Sequence, residues 1–240
     1  MRISFILEMA KFEGLSWVRR SPETAIGYAA TPLALLFLIY VLSGGKLIEY
    51  AIVGGFVAQI GTSAIMTAGS IGTFRIILKL QDLLIATKIS KVDYILGLAL
   101  ANMIFCVPGL AIYAAIALYL GLFTVTDVLI TVAVVGLVLM AMMPIAFFVG
   151  SVFRRTNGIW TTASVLAVAL TMLPPSYYPY TLLPKPLLYV LMISPVTPGA
   201  MVLQGYYGIA PVNNYAFVVL AIEAILYFVL ARKFTLWGAK

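Results

Sequence analysis

Histidine is absent from the 240 residues, and cysteine occurs once, at Cys106. The first absence removes imidazole metal ligands and imidazole general bases. The second excludes a disulfide within the chain. Cys106 sits in an apolar run, where a lone thiol reads as a small hydrophobe. Charge is scarce too: Asp, Glu, Lys and Arg make up 10% of the chain, against 63% for hydrophobic residues. Only 8 residues are acidic, and they are scattered, so no carboxylate cluster offers a metal site. Neither His-Glu-x-x-His nor Gly-x-Ser-x-Gly occurs, and no catalytic constellation is legible.

Long apolar runs fill the chain instead. A spanning helix needs about 20 mostly apolar residues. Six stretches qualify, roughly 25–43, 47–72, 95–120, 127–150, 158–173 and 212–231. Backbone amides cannot remain unpaired in hydrocarbon, so such segments are helices or a closed barrel. The runs are continuously apolar rather than alternating, which rules out the barrel pattern. The expectation is an all-α membrane protein of six transmembrane helices forming one membrane domain over 1–240, with no room for a soluble catalytic domain. The first strong run begins near Ala25, after Arg19-Arg20, without the short core and small-residue cleavage site of a leader.

The 15 Lys and Arg residues sort by side, all but Lys46 and Lys185 falling on one face of this arrangement. Cytoplasmic loops collect Lys and Arg, so both termini are expected in the cytoplasm. The net charge of +7 then reads as a topology signal and an attraction to anionic membrane lipids. No basic-plus-aromatic surface module points to nucleic acid.

Three segments outside the spans carry information. In 3–20, Phe5, Met9 and Phe12 recur at helical spacing with Glu8, Lys11 and Glu13 between them, and Trp17 suits the headgroup level. This pattern predicts an amphipathic helix lying on the inner surface. In 73–93, Ile77, Leu80 and Leu84 share a helical face. The stretch is too polar to span and too apolar for a free linker, which predicts a short amphipathic helix at 76–91 offered to a partner. In 174–211, most of the chain's 12 prolines are joined by six tyrosines and apolar runs at 187–193 and 200–203. Two short helices dipping into the outer leaflet and returning would satisfy these features.

Within the spans, Glu223 is the exception to charges kept at segment ends. A midplane carboxyl costs a few kcal/mol, so it is expected to face protein or a wet cavity, as a substrate contact, a proton relay or a hydrogen bond to a neighbouring helix. The run Leu42-Ser43-Gly44-Gly45-Lys46 approaches the signature loop of ABC ATPases. It lies at the outer end of the first span, and Tyr40 stands where a P-loop needs glycine. It reads as an outer turn, and the chain itself is not an ATPase.

The order of these parts resembles the membrane permease subunit of type-2 ABC exporters. Two stretches carry the resemblance. Leu83-Leu84-Ile85-Ala86-Thr87-Lys88-Ile89-Ser90-Lys91-Val92-Asp93-Tyr94-Ile95-Leu96-Gly97 is similar to the family's coupling-helix stretch, although Lys88 stands where proline is common. Leu182-Leu183-Pro184 through Ile193-Ser194-Pro195-Val196-Thr197-Pro198 is similar to its outer hairpin, although Gln204 and Gly205 stand where a basic residue often follows.

The resemblance implies a multi-pass plasma-membrane subunit that pairs with a second permease, a copy or a paralogue. Separate ABC ATPase subunits would dock beneath and hold the ATP and Mg, this chain carrying no cofactor. Ile77, Leu80, Leu84, Ile85, Thr87, Lys88 and Ser90 would couple to the ATPase. Gln59, Thr62, Met66, Thr161 and Thr162, with Glu223, are the candidates for the substrate path. Two other classes stay open: a stand-alone secondary transporter or channel, which would favour inverted repeats and several intramembrane charges, and a membrane scaffold for a soluble partner. The substrate is not readable.

Overall fold

A computed structural model describes residues 2–16, 19, 22–87, 89–122 and 124–235. Trp17, Arg20, Lys88 and Lys240 lie outside them, and so do the expectations placed on those four residues. Among the described residues 82% are helical and none is in a strand.

The helices in chain order are α1 (Ile3–Met9), continued by a π-helical stretch (Ala10–Leu15), then α2 (Pro22–Ser43), α3 (Ile48–Ile76), α4 (Leu80–Ala86), α5 (Lys91–Tyr119) and α6 (Val125–Val152). α7 (Thr156–Ala167) continues as π-helix over Val168–Met172, and α8 (Lys185–Leu191), α9 (Val196–Tyr206) and α10 (Asn214–Phe234) follow. Among the described residues, four helices are long and apolar enough to cross a membrane: α3, α5, α6 and α10. The count rises to five if α8 and α9, bent by 117°, form one broken span. In the first expected span the described apolar part is Ala30–Ser43. The fifth expected span is a 12-residue α-helix with a five-residue π-helical extension.

α3 is the hub. Of its most apolar window 83% is buried inside the protein, against 28% for α10, and α2, α5, α6, α7 and α9 all pack on it. Glycines make this crowding possible, because in lipid the close approach of small-residue faces drives helix packing. A Cβ on Gly54 would lie 1.6 Å from the Ser176 carbonyl oxygen, and one on Gly69 would lie 2.3 Å from Cε2 of Trp160. Gly44 and Gly45, at φ of 60° and 83°, form the turn from α2 into α3.

Helix ends are closed by local chemistry. Ser90 and Asp93 make a capping box at the start of α5, and Thr124 and Asp127 make another at α6, satisfying orphan N–H groups. At the other end of α6, the Arg75 guanidinium, from the last turn of α3, donates to the carbonyls of Ser151 and Phe153. A cation is favourable at that negative helix terminus.

Two sequence expectations are corrected in detail. The helix expected over 76–91 is confined to Leu80–Ala86, because Lys79 adopts left-handed geometry at φ 48° and breaks it from α3. The Thr87 hydroxyl closes its far end on the Leu84 carbonyl at 2.8 Å. In the N-terminal segment the expected face is rotated. Met9 is buried but Phe12 is 55% exposed, while Glu13 is only 8% exposed. The switch to π-helical winding at Ala10 changes which residues follow Met9 onto the inner face.

Candidate functional site

One face of α3 carries Gln59, Ser63, Thr67, Ser70 and Thr73, each three or four residues after the last. That spacing lines them along one side of a helix. Asn102 of α5 meets this face, its amide nitrogen donating to Ser63 Oγ and Thr67 Oγ1, both at 2.9 Å. The Cys106 thiol makes a weak contact to Asn102 Oδ1 at 3.7 Å.

Beside these residues lies a cavity of about 490 Å³. α3 and α5 supply most of its wall, Trp160 of α7 one side and Glu13 of the N-terminal segment one end. Glu13 reaches it because Gly14 lets the π-helical stretch press on α5: a Cβ there would sit 3.1 Å from the Ala101 carbonyl oxygen. Burial pushes the Glu13 carboxyl up from the ordinary 4.5 to about 7, and a hydrogen bond from the Ser70 side chain opposes the rise. Trp160 is positioned by Gly69, which leaves the space the indole fills.

The expected path residues fall in several places. Met66 lines the cavity. Gln59 is buried on α3. Thr62 shares a hydrogen bond with Thr171 Oγ1 at 2.9 Å, tying α3 to the π-helical end of α7. Thr161 is exposed on α7 and Thr162 half-buried. Glu223 is buried on α10, which packs on α6 and α9. Its Oε2 has no hydrogen-bond partner among the described residues. The structure therefore gathers Met66, Ser63 and Asn102 around one cavity and leaves Glu223 on another helix. Glu13, Ser70 and Trp160 were not singled out from sequence. The available signals were the hydroxyl periodicity of α3 and an acidic residue next to a glycine in an otherwise amphipathic segment.

The residues expected to couple also divide. Leu84 is only 8% exposed and packs into the chain's own core. Leu80 and Ile85 are half-buried, and Ser90 serves the α5 cap. Ile77 is 62% exposed and its neighbour Leu78 is exposed with it. The most exposed large apolar side chain of α4 is Leu83, at 63%.

Between α7 and α9 the Pro-rich segment is fastened by Gln204. Its amide nitrogen donates to the carbonyls of Pro175 at 2.7 Å and Tyr178 at 3.1 Å, and its Oε1 accepts from the Tyr180 N–H at 3.2 Å. Gln204 thus meets three backbone groups that would otherwise be orphaned inside the fold.

No family model and no curated protein matches this sequence. The long apolar helices α3, α5, α6 and α10 are those of an α-helical membrane protein.

Proposed function

We propose that this chain is the permease subunit of an ATP-driven exporter with type-2 ABC architecture. The observation that carries the reading is the turn between α3 and α4. It presents Ile77 and Leu78, followed by Leu83 on α4, as exposed apolar side chains, with the exposed basic residue Lys79 between them in the chain. A soluble partner with an apolar groove and an acidic rim fits such a surface. The bent pair α8 and α9 supports the same reading, as does the clustering of Lys and Arg at one end of the long helices, which favours a cytoplasmic location for that end.

In this proposal α2 and α7 complete a six-span bundle, both termini are cytoplasmic, and α8 and α9 form the outer re-entrant hairpin. Two such permeases enclose the path. ATP and Mg bind two separate ATPase subunits docked on the α3–α4 turns. Nucleotide binding shifts the population between inward-open and outward-open states, which requires different affinities for the two. Gln59, Thr62 and Met66 on the hub helix are the candidates to meet substrate. The Arg75 bonds tie the cytoplasm-side end of α3 to the end of α6, so that in this proposal the two helices move together.

The test is gentle-detergent purification of the tagged chain from native membranes. A P-loop ATPase is expected in stoichiometric amount, and it should be lost with Ile77→Glu and Leu83→Glu while the chain remains folded. Failure to recover an ATPase even after cross-linking would remove the motor and leave a stand-alone transporter or a scaffold.

A further inference from the structure

Glu13 is the sole charged residue among the described residues that line the cavity between the N-terminal segment, α3 and α5. Its carboxyl is not in an ion pair with any described residue: Lys11 is taken by Glu8 at 2.8 Å on the surface, and Arg75 by the end of α6. Of the neighbouring titratable groups, Tyr94 faces it from α5, and Ser70 is its hydrogen-bonding neighbour on α3. The rest of the lining includes three aromatic rings, Trp160 on the Gly69 gap, Phe74 of α3 and Phe105 of α5.

These walls select a ligand. An anion would meet Glu13 with no compensating cation. A neutral apolar molecule would gain nothing from the Glu13 carboxyl, which would stay buried with Ser70 as its hydrogen-bonding neighbour. A metal ion needs several converging ligands, and no group of three His, Cys, Asp or Glu side chains exists among the described residues. A single positive charge on an apolar body satisfies both ends, because aromatic faces attract cations as well as covering hydrocarbon. The volume of about 490 Å³ lies in the range of small-molecule sites, about 300–1,000 Å³.

We propose that this cavity binds amphipathic organic monocations, with the Glu13 carboxylate facing the cationic centre and Trp160 and Phe105 covering the apolar part. The cation could be a free lipophilic amine or quaternary ion, or the ammonium headgroup of a lipid. Glu13 must be ionised to serve, so affinity rises with pH through the region near 7 where its carboxyl loses the proton. The site belongs to this chain alone and is filled with or without an ATPase beneath it.

The test is equilibrium dialysis of radiolabelled tetraphenylphosphonium against the purified full chain in detergent at pH 6, 7 and 8. Wild type should bind saturably and tighten about fivefold to tenfold across that range, as a carboxyl near 7 goes from mostly protonated to mostly ionised. Glu13→Gln should weaken binding at least tenfold and remove the pH dependence, while binding of neutral triphenylphosphine oxide stays as in wild type. Trp160→Leu should weaken binding but keep the pH dependence. Displacement by phosphatidylethanolamine and not by phosphatidylglycerol assigns the natural cation to a lipid headgroup; no displacement by either assigns it to a free organic ion. Absence of saturable binding, pH-independent wild-type binding, or Glu13→Gln binding the cation as wild type overturns the proposal. Should Glu13→Gln fail to fold, the wild-type pH series and Trp160→Leu decide.

Discussion

Asn102 gives its side-chain amide hydrogens to two hydroxyls one helical turn apart on α3, Ser63 and Thr67, at the same distance of 2.9 Å. Thr67 in turn donates to the Ser63 carbonyl at 3.0 Å, so the three residues form one connected network across the α3–α5 contact.

Asn102→Leu should therefore destabilise the bundle. The lost interhelical bonds are worth about 1–2 kcal/mol, since such bonds within membranes give modest net energies. Denaturant-driven unfolding of the detergent-solubilised protein measures this. An unchanged midpoint would mean that the hydroxyls recover full partners on their own helix.

Gly69→Ala should cost about 1–3 kcal/mol by overpacking, because its Cβ would overlap the Trp160 ring. In a double-mutant cycle, Trp160→Leu should return part of the loss. Additive effects would place the strain elsewhere.

Arg75→Ala removes both donors from the α6 carbonyls of Ser151 and Phe153. Hydrogen bonds to charged groups are worth about 1.5–3 kcal/mol each, so a loss of a few kcal/mol is expected, with faster amide exchange around 151–156. Arg75→Lys should recover less than half, since lysine lacks the planar, pre-organised guanidinium fork whose two nitrogens each meet one carbonyl.

Glu13 sets a pH dependence of stability whose sign is definite. Its carboxyl is at about 7 in the folded protein, above the ordinary 4.5. Between these values the folded state holds a proton that the unfolded chain has released, so stability falls as pH rises from about 4.5 to about 7 and then levels. Glu13→Gln should flatten that portion of the thermal-stability profile. An unchanged slope in the variant would assign it to another group.

The long apolar runs made α3, α5, α6 and α10 readable, because a span advertises itself by length and composition alone. The hub role of α3 was not legible, since its glycines show that something approaches without saying what. Glu13 was placed on the wrong face because an α-helical period was assumed through Ala10, where π-helical winding begins. Leu84 was assigned outward and packs inward, since the turn at Lys79 redirects α4 and no short-range pattern encodes that redirection. Glu223 stood out correctly as a buried carboxyl, but its separation from the α3 cavity depends on which helices α10 packs against, which is tertiary information.

The stretch from Thr87 to Asp93 is where both ends of the described chain are tied down. The Arg2 N–H donates to Asp93 Oδ1 at 3.0 Å and the Arg2 guanidinium to the Thr87 carbonyl at 3.1 Å. Lys91 reaches the other way, to the carbonyls of Arg232 at 3.2 Å and Thr235 at 2.9 Å. On the proposed reading, a push on α4 would reach the first and last helices at once through this stretch, as a tug on a knot moves every rope tied into it. Spin labels on α1 and on the final turn of α10 should shift in concert when the turn is loaded and independently once Lys91 and Asp93 are replaced.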